Sequence, residues 1–455
     1  MDEIKKNSIH TVKITGMTHE GFGVGRINSF VIFIDGAITG ETVEAKIIKL
    51  SSNYVVGKLI RILSPSPERQ TPFCIVHKRC GGCTFQHMSY KSQLEFKTSL
   101  VKDNLERIGN LKEVKIHETL GMENPLNYRN KAQYPVASID GQPVVGFYAK
   151  RTHHVVENTG CLIQNKVSEK AVSIVKEFIS SKKISIYNET NGKGIVRHIV
   201  TRTGLKTDEV MVILVINAKD LPHKRALVDM LVSSVPGIKS IVLNINMKKT
   251  NTILDEKNVV IFGKGYITDY IGEFRFKISP LSFYQVNSVQ AEVLYAKALE
   301  YAGLTGKETV FDLYCGIGTI SLYLSRKAKK VYGVEVVKAA VIDAIENAKI
   351  NGVDNVEFIE GKAEEMIPKM YKNGVRADVV IVDPPRKGCH EALLETLVDM
   401  QPGRIVYVSC NPSTLARDLK YLEENGYKTL EVQPVDMFPY TGHVESCVLI
   451  TRDEK

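Results

Sequence analysis

The C-terminal part of the chain, from about residue 286 onward, alternates short apolar segments with helix-like segments. The apolar segments read ETVFDLY, KVYGVE, NVEFIEG, ADVVIVD and RIVYVSC, and the helix-like segment VQAEVLYAKALEYA precedes them. Strands separated by helices pair in parallel, because each helix returns the chain to the same edge of the sheet. The pattern predicts an α/β domain over residues 285–455, a Rossmann-like parallel sheet with helices on both faces.

The preceding segments predict three smaller units. Residues 1–62 consist of short alternating segments and predict a small five-stranded β-barrel of the OB type. Glycines stand at its turns: Gly16, Gly25, Gly36 and Gly40. The proline-bearing stretch 64–72 predicts a linker, and residues 63–111 combine a cysteine cluster with a predicted helix at 90–109. Residues 112–284 mix β-rich runs with charged loops and predict a mixed α+β domain, whose topology the pattern does not define.

Charge is distributed unevenly along the chain. Residues 1–290 contain 40 Lys and Arg against 26 Asp and Glu, whereas residues 291–455 contain 20 against 25. A basic front joined to a mildly acidic back is typical of a polyanion-binding platform that serves a catalytic domain.

Composition places the chain among ordinary globular proteins, with 44% apolar and 24% charged residues. No window reaches the roughly 18 uncharged apolar residues of a membrane span. The N-terminal stretch MDEIKKNSIHTVKI has no apolar core typical of a secretory signal. We therefore expect a cytoplasmic protein without a membrane partner, and no obligate protein partner is evident.

A glycine-bearing turn stands between the first apolar segment and the following helix, in VFDLYCGIGTISLYLS. Gly316 and Gly318 allow close approach of a ligand to the backbone, and Glu335, 19 residues after Gly316, can bind ribose hydroxyls. A third glycine at dinucleotide spacing is missing, which favours S-adenosylmethionine (SAM) over NAD. Asp312 and Asp383 come at or near the ends of neighbouring predicted strands, so three carboxylates are expected along one sheet edge.

Because the cytosol is reducing, the eight cysteines of a cytosolic chain are not expected to form a disulfide framework. Four of them have ligand-like spacing: Cys74, Cys80, Cys83 and the isolated Cys161. Four thiolates suit either tetrahedral zinc or a four-iron cluster, and the spacing alone does not choose between them.

Several of these motifs together resemble the uracil-C5 RNA methyltransferases. They are DPPRKG, SCNP with its cysteine 27 residues beyond the aspartate, SFYQVN at 282–287 and CIVHKRCGGCTFQH. The resemblance covers nearly the whole chain and implies a class I SAM-dependent methyltransferase domain, a TRAM-type barrel and a [4Fe-4S] cluster on the four cysteines, with zinc as the alternative. It also implies SAM contacts from four residues: Gln285, Tyr314, Glu335 and Asp383.

The same resemblance assigns the chemistry. Uracil C5 is a poor nucleophile, so a thiolate must first add to C6, and a base must later remove the C5 proton. Cys410 follows the fifth predicted strand and matches the nucleophile, and we expect the following helix and Arg417 to lower its pKa. Glu445 matches the base, with His443 as a weaker alternative. Among the other C-terminal cysteines, Cys447 is predicted to be core, Cys315 to pack under the cofactor and Cys389 to lie on a loop: only Cys410 combines a strand end with a polar turn.

The expected substrate is 23S ribosomal RNA, with transfer RNA as the second choice, because the barrel and the cysteine cluster are features of the ribosomal branch. The target uracil must be flipped out to reach Cys410. Candidate RNA contacts are aromatic and cationic: Tyr128, Arg129, Lys131 and Phe283. From a different class, the chain could be a non-catalytic RNA chaperone or assembly factor, but such a protein needs neither Cys410 nor Glu445.

Overall fold

The computed structural model describes residues 4–158 and 160–453. The predicted N-terminal barrel is present and closes in the order β1-β2-β3-β5-β4. Alternate residues of each strand point into it, and Val12, Ile32 and Val43 are among its core residues. Residues 1–3 of the predicted 1–62 unit lie outside the described residues. The strands are β1 Ile9–Met17, β2 Phe22–Ile27, β3 Phe30–Asp35, β4 Thr42–Leu50 and β5 Tyr54–Ser64.

The cysteine segment leads into helix α1, Tyr90–Arg107, close to the predicted 90–109. Ser89 caps the helix by accepting a hydrogen bond from the Ser92 N–H at 3.2 Å. The short strand β6, Lys115–Ile116, follows. It pairs with the C-terminal sheet, so the segment directly after α1 is part of that sheet rather than of the central one.

The central region, whose topology the sequence did not define, forms a seven-stranded sheet in the order β13-β12-β11-β10-β7-β8-β9. Its strands β10 and β11 are buried along their whole length. A separate hairpin, β14-β15, leads towards the C-terminal domain. The strands are β7 Lys131–Ile139, β8 Gln142–Tyr148, β9 Val155–Glu157, β10 Val196–Thr203, β11 Val210–Ile216, β12 Ile238–Ile245, β13 Asn258–Gly263, β14 Ile267–Ile271 and β15 Phe274–Ile278; the helices are α2 Lys166–Ser181 and α3 Lys224–Ser234.

The C-terminal domain has the predicted α/β architecture, and its eight-stranded sheet runs β18-β17-β16-β19-β20-β22-β21-β6. Strands β16 to β20 pair in parallel with one another, whereas β22 is antiparallel to both β20 and β21. All five predicted strands are confirmed. The strands are β16 Thr309–Leu313, β17 Lys330–Glu335, β18 Val356–Glu360, β19 Val379–Val382, β20 Arg404–Ser409, β21 Tyr427–Val435 and β22 Glu445–Arg452.

Helices separate these strands and cover the sheet, as the alternating pattern predicts. The predicted helix VQAEVLYAKALEYA is α4, and its N-cap Asn287 accepts from the Gln290 N–H at 3.2 Å. Helix α1 packs against α9, which joins the cysteine segment to the C-terminal domain. The helices are α4 Ser288–Ala302, α5 Thr319–Ser325, α6 Lys338–Ile350, α7 Ala363–Lys372, α8 Glu391–Met400 and α9 Pro412–Glu424. Within the described ranges, no helix has both the length and the apolarity needed to cross a membrane.

Candidate active site

The turn after β16 lies where β16 has β17 on one side and β19 on the other, the switch point at which open α/β sheets bind ligands. Tyr314 begins this turn with φ 67°, a left-handed conformation that is rare outside glycine and concentrates at functional sites. The Glu335 carboxylate accepts hydrogen bonds from the N–H groups of Gly316, at 3.1 Å, and Val337, at 2.8 Å. Glu335 is thus held at the end of β17 beside the turn.

The two glycines of the turn serve different purposes. A Cβ on Gly316 would meet no other atom within 4 Å, so there is open space beside its backbone. Gly318 has φ +80°, and a Cβ there would lie 2.6 Å from the Phe358 ring, so glycine is needed for packing of α5 on β18. The following Thr319 hydroxyl lies 3.0 Å from the Tyr295 hydroxyl and is hydrogen-bonded to it.

Two of the predicted carboxylates lie deep in the sheet edge. Asp312 has no solvent exposure and accepts a hydrogen bond from the Ser321 hydroxyl. Burial, with the Asp383 charge as a smaller cause, raises the pKa of Asp312 to about 7. Burial also raises the pKa of Asp383 to about 7. Carboxylates with raised pKa values at a switch point are typical of a functional cleft.

Cys410 and Glu445 lie side by side at the ends of two paired strands. Ser409 of β20 opposes Ser446 of β22 in the antiparallel register. Cys410, which follows Ser409, therefore lies opposite Glu445, which precedes Ser446. Burial first, and then the charges of Glu445 and Asp383, raise the pKa of Cys410 to about 11. Glu445 is 5% exposed, and burial raises its pKa well above the usual range. A thiol and a carboxyl whose pKa values are both raised therefore adjoin one sheet edge.

The expectation that Arg417 lowers the pKa of Cys410 is wrong. The Arg417 side chain donates instead to the Asp418 carboxylate and to the Lys387 carbonyl, at 2.8 and 3.0 Å. The cation that lowers the pKa of Cys410 is Arg386, but its effect is smaller than that of burial. Cys410 consequently has a raised pKa in the free protein.

The other C-terminal cysteines are buried: Cys315, Cys389 and Cys447. Cys447 is core, as predicted, but the expected loop position of Cys389 does not make it accessible. The Cys389 N–H donates to the Asp418 carboxylate at 2.8 Å, and its thiol is enclosed. Cys410 is half-buried and lines a cavity of about 230 Å³ together with Arg386 and His443.

His443 is a poor candidate for a cation or a base at the same cavity. Burial, followed by the charge of Arg386, lowers the pKa of His443 to about 4. Its imidazole is therefore neutral near pH 7. The Glu445 carboxyl, with a raised pKa, has the greater affinity for a proton.

Comparison with known proteins identifies the family. Residues 242–453 match the family model tRNA (Uracil-5-)-methyltransferase, and residues 5–60 match the TRAM domain. A protein of Caldanaerobacter subterraneus subsp. tengcongensis, named as an uncharacterized RNA methyltransferase, is 55% identical over 99% of this chain and 100% of its own length. A Clostridium tetani protein with the same description is 53% identical over 98% of this chain and 97% of its own. The chain belongs to the RNA uracil-C5 methyltransferase family.

A solved structure extends the similarity to the whole architecture. The Pyrococcus abyssi tRNA (uracil-54, C5)-methyltransferase, in complex with S-adenosyl-L-homocysteine, is 30% identical and has a TM-score of 0.78. The match covers 97% of this chain and 100% of the Pyrococcus chain. This uracil-C5 methyltransferase is therefore a SAM-dependent enzyme with an N-terminal TRAM barrel and a class I methyltransferase domain.

The four clustered cysteines of the methyltransferase line one cavity of about 310 Å³: Cys74, Cys80, Cys83 and Cys161. Burial raises the pKa of Cys83 to about 11 and that of Cys161 to about 12. Across the parts of the chain that the structure describes, no three His, Cys, Asp or Glu side chains converge closely enough to hold a single metal ion. The four thiols therefore line the wall of the cavity and do not converge on a single position.

Two predicted RNA contacts, Arg129 and Lys131, line this same cavity. Burial, with Arg202 and Arg129 as further causes, lowers the pKa of Lys131 to about 7. The charge of Arg129 in turn lowers the pKa of Cys83. Both residues therefore belong to the cysteine cavity, where burial disfavours the charged form of Lys131.

The other two predicted RNA contacts have opposite environments. Tyr128 is 2% exposed, and its hydroxyl donates to the Pro439 carbonyl at 3.1 Å, so it is not available to stack on a base. Phe283 is 69% exposed on the loop before α4 and remains a candidate. An exposed aromatic ring is the kind of surface on which unpaired bases stack.

The loop that carries Phe283 and Gln285 is fixed by the central domain. The buried Arg202 guanidinium donates to the carbonyls of Pro280, at 3.1 Å, and Ser282, at 2.5 Å. The Asn130 amide donates to the Gln285 carbonyl at 2.8 Å. Gln285 is itself buried, next to the start of α4. Sequence patterns gave no signal for Arg202, because its partners are backbone carbonyls about 80 residues away.

The segment that leads into Glu445, residues 436–444, is held from several sides, and we name it the base segment. Buried Lys97 of α1 forms an ion pair with Asp436 at 2.5 Å and donates to the Phe438 carbonyl at 3.1 Å. The Tyr440 carbonyl accepts from the N–H groups of Thr84 and Phe85, at 2.8 and 3.0 Å. The cysteine segment and α1 together therefore position the strand start at Glu445.

Proposed function

We propose that this enzyme methylates C5 of a uridine in 23S ribosomal RNA through a covalent bond between the Cys410 sulfur and uracil C6. The observation that carries the proposal is the adjacency of Cys410 and Glu445 at the same sheet edge as Asp383. A nucleophile and a base must contact neighbouring ring carbons, and two adjacent strand ends supply both. The uracil is flipped out of its stack to enter the site.

The mechanism has four steps, and the chain's own residues perform three of them. The Cys410 thiolate adds to C6, and the electron pair of the C5–C6 bond moves into the C4 carbonyl to give an enolate. C5 then attacks the methyl carbon of SAM, and the methyl–sulfur bond breaks with its electron pair remaining on sulfur, so that S-adenosylhomocysteine leaves. Glu445 removes the C5 proton, and the returning electron pair expels the Cys410 thiolate. A carboxylate with a raised pKa accepts that proton more readily than an ordinary glutamate.

Cys410 must lose its proton before it can act as a nucleophile. Both Cys410 and Glu445 have raised pKa values, so the thiolate is the minor form of Cys410 near neutral pH, and a nearby positive charge favours the ionised form of each group. SAM supplies the methyl group and also a sulfonium cation. We propose that Gln285, Tyr314 and Asp383 contact this cofactor, and that Glu335 binds its ribose hydroxyls.

We further propose that the four cysteines hold a [4Fe-4S] cluster, with zinc as the alternative. Support comes from the shared cavity and from the two cations that line it, Arg129 and Lys131. A cluster with four thiolate ligands carries net negative charge, which the Arg129 guanidinium would balance and which would favour the charged form of Lys131. Its role in this proposal is structural, because the cavity is separate from the one that Cys410 lines.

Transfer RNA is the second candidate substrate. It is favoured by the similarity over nearly the whole chain to an enzyme whose described substrate is tRNA. The match covers the barrel and the central domain as well, so these two domains do not distinguish a 23S RNA substrate from a tRNA substrate. A ribosomal or transfer RNA substrate agrees with a cytoplasmic location.

Incubation with labelled SAM and separate unmodified transcripts of 23S RNA and tRNA tests the proposal. We expect label in 23S RNA with the wild type, none with Cys410→Ala, and a trapped protein–RNA adduct with Glu445→Gln, because elimination needs the base. Cys389→Ala is the matched control and keeps transfer, since this thiol is enclosed. Label in tRNA alone would make tRNA the substrate. Equal, background transfer by wild type and Cys410→Ala to both RNAs would favour the non-catalytic chaperone.

A further inference from the structure

The turn between β1 and β2 brings the barrel into the catalytic cavity. We name residues 18–21 the barrel turn. His19 of this turn lines the same cavity of about 230 Å³ as Cys410, Arg386 and His443, although it lies almost 400 residues from Cys410 in sequence. The imidazole of His19 is exposed, and within the described ranges no hydrogen bond or ion pair engages it.

Two close backbone approaches fix the barrel turn against the catalytic domain. A Cβ on Gly442 would lie 1.8 Å from the His19 carbonyl oxygen, so only glycine permits this contact. On the other side, a Cβ on Gly21 would lie 2.2 Å from the Thr84 methyl group. The Thr84 N–H binds the Tyr440 carbonyl of the base segment at 2.8 Å. The turn is therefore wedged between the cysteine segment and the base segment.

The barrel turn is also rigid in itself, which allows His19 to act at a fixed position. The N–H of Gly21 donates to the Thr18 carbonyl at 2.9 Å, and the N–H of Phe22 donates to the Thr18 hydroxyl at 3.1 Å. The Arg151 guanidinium pairs with Glu20 at 3.2 Å and lies over the Phe22 ring at 5.1 Å. A turn held by its own hydrogen bonds and by the central domain requires little ordering when a ligand binds.

The cavity has the chemistry of an anion site. Among the described residues, its lining contains no Asp or Glu side chain, and its polar members include His19, Arg386, Asn104 and Ser413. The exposed Arg386 guanidinium makes no hydrogen bond or ion pair among the described residues, while the Arg386 carbonyl accepts from the Asn411 amide at 3.0 Å. Donors without carboxylates suit a phosphate, which accepts charge-assisted hydrogen bonds.

We infer that His19 and Arg386, from opposite ends of the chain, together bind the phosphodiester that flanks the target uridine, and that the barrel thereby completes the catalytic pocket. This inference rests on the proposed function, because it is the uracil at Cys410 that brings its own phosphate into the cavity. His19 is a positioning residue for the RNA strand. The bond-making steps remain with Cys410 and Glu445.

A backbone-modified substrate tests this inference. The RNA carries an uncharged methylphosphonate at the phosphate on either side of the methylated uridine, and its affinity is compared with that of the native RNA. For the wild type, one of the two positions is expected to weaken binding by about tenfold or more, because a hydrogen bond to a charged group is lost. In His19→Ala the native RNA binds more weakly, and the methylphosphonate has a smaller further effect.

His223→Asn is the matched control, because His223 stands at the left-handed start of α3, lines none of the described cavity, and asparagine accepts this conformation. It is expected to show the wild-type methylphosphonate effect. If His19→Ala shows the full wild-type effect too, the phosphate contact does not involve His19 and the inference is overturned. Methyl transfer by the wild type to native RNA reports on the proposed function separately, so the two failures are distinguishable.

A second pair of variants tests the contact between the barrel turn and the base segment without removing a side chain that binds RNA. Gly442→Ala forces the His19 carbonyl away, whereas Gly16→Ala, in the same barrel, meets nothing within 4 Å. We expect Gly442→Ala to raise the KM for RNA while SAM affinity stays at the wild-type level. Gly16→Ala should leave both values unchanged. Equal RNA KM values for the two variants would contradict a role of the barrel turn in the pocket.

Discussion

The buried ion pair between Lys97 and Asp436 joins helix α1 to the base segment. Both side chains are fully buried, and their charged atoms lie 2.5 Å apart. Burial lowers the pKa of Lys97 even though Asp436 opposes that shift, so the desolvation penalty exceeds the attraction. Such a pair adds little net stability, yet removal of one partner leaves an uncompensated charge in the interior.

We predict that Lys97→Met lowers the free energy of unfolding by about 3 kcal/mol, at the lower end of the range for broken buried pairs. The lower end applies because the Tyr90 hydroxyl and the Phe438 N–H still bind the Asp436 carboxylate, at 2.8 and 3.2 Å. In the double variant Lys97→Met/Asp436→Asn the buried charge is absent. It should therefore be more stable than Lys97→Met alone.

The chain has 19 tyrosines and no tryptophan, so circular dichroism and tyrosine fluorescence are the suitable probes of thermal unfolding. For a domain of about 150–250 residues, a loss of about 3 kcal/mol lowers the midpoint temperature of unfolding by roughly 6–12 °C. Lys91→Met is the control on the same helix, because its ion pair with Glu95 is exposed and contributes little. A double variant as unstable as the sum of its single variants would refute the argument, because the two sites would then be uncoupled.

Three further predictions concern the chemistry and the bound groups. The rate of adduct formation, measured in stopped-time assays, should rise with pH towards the raised pKa of Cys410, about 11, because the thiolate is the reactive form. Arg386→Gln should slow the reaction near pH 8 and move the pH–rate profile to higher pH. Arg417→Gln should leave the position of that profile unchanged. Glu335→Gln should weaken SAM binding by about tenfold in calorimetry, since the ribose loses a charged acceptor, and unchanged affinity would remove Glu335 from the cofactor site. Cys80→Ser should abolish absorption near 400 nm and lower the iron content of anaerobically purified protein, whereas colourless wild-type protein with equimolar zinc would establish zinc instead.

Local patterns predicted most of the fold because its elements are strongly periodic. The five C-terminal strands and α4 are apolar segments of strand or helix length, and the barrel strands alternate with period two. The central sheet was not predictable in the same way. Its strands pair out of chain order, with β10 between β7 and β11, and order of pairing depends on contacts that local sequence does not encode.

Single residues were harder to assign than elements. Arg417 was expected to act on Cys410 because the two are close in sequence, but its side chain points to Asp418 and to the preceding loop. Arg386 lies in the quoted DPPRKG motif, and only the pairing of β19 with β20 brings it near Cys410. Tyr128 was expected on the RNA surface, and its burial follows from the packing of the base segment over it.

The sequence by itself determined the α/β class, the barrel, the family motifs and the strand-end position of Cys410, because these depend on periodicity and on residue types at short spacing. Tertiary structure decided which distant segments meet: Glu445 beside Cys410, four cysteines around one cavity, and His19 in the cavity that Cys410 lines. It also decided the direction of the pKa shifts, since burial depends on all the elements packed around a group. The physical reason is the same in each case, because side-chain chemistry is local in sequence while its environment is not.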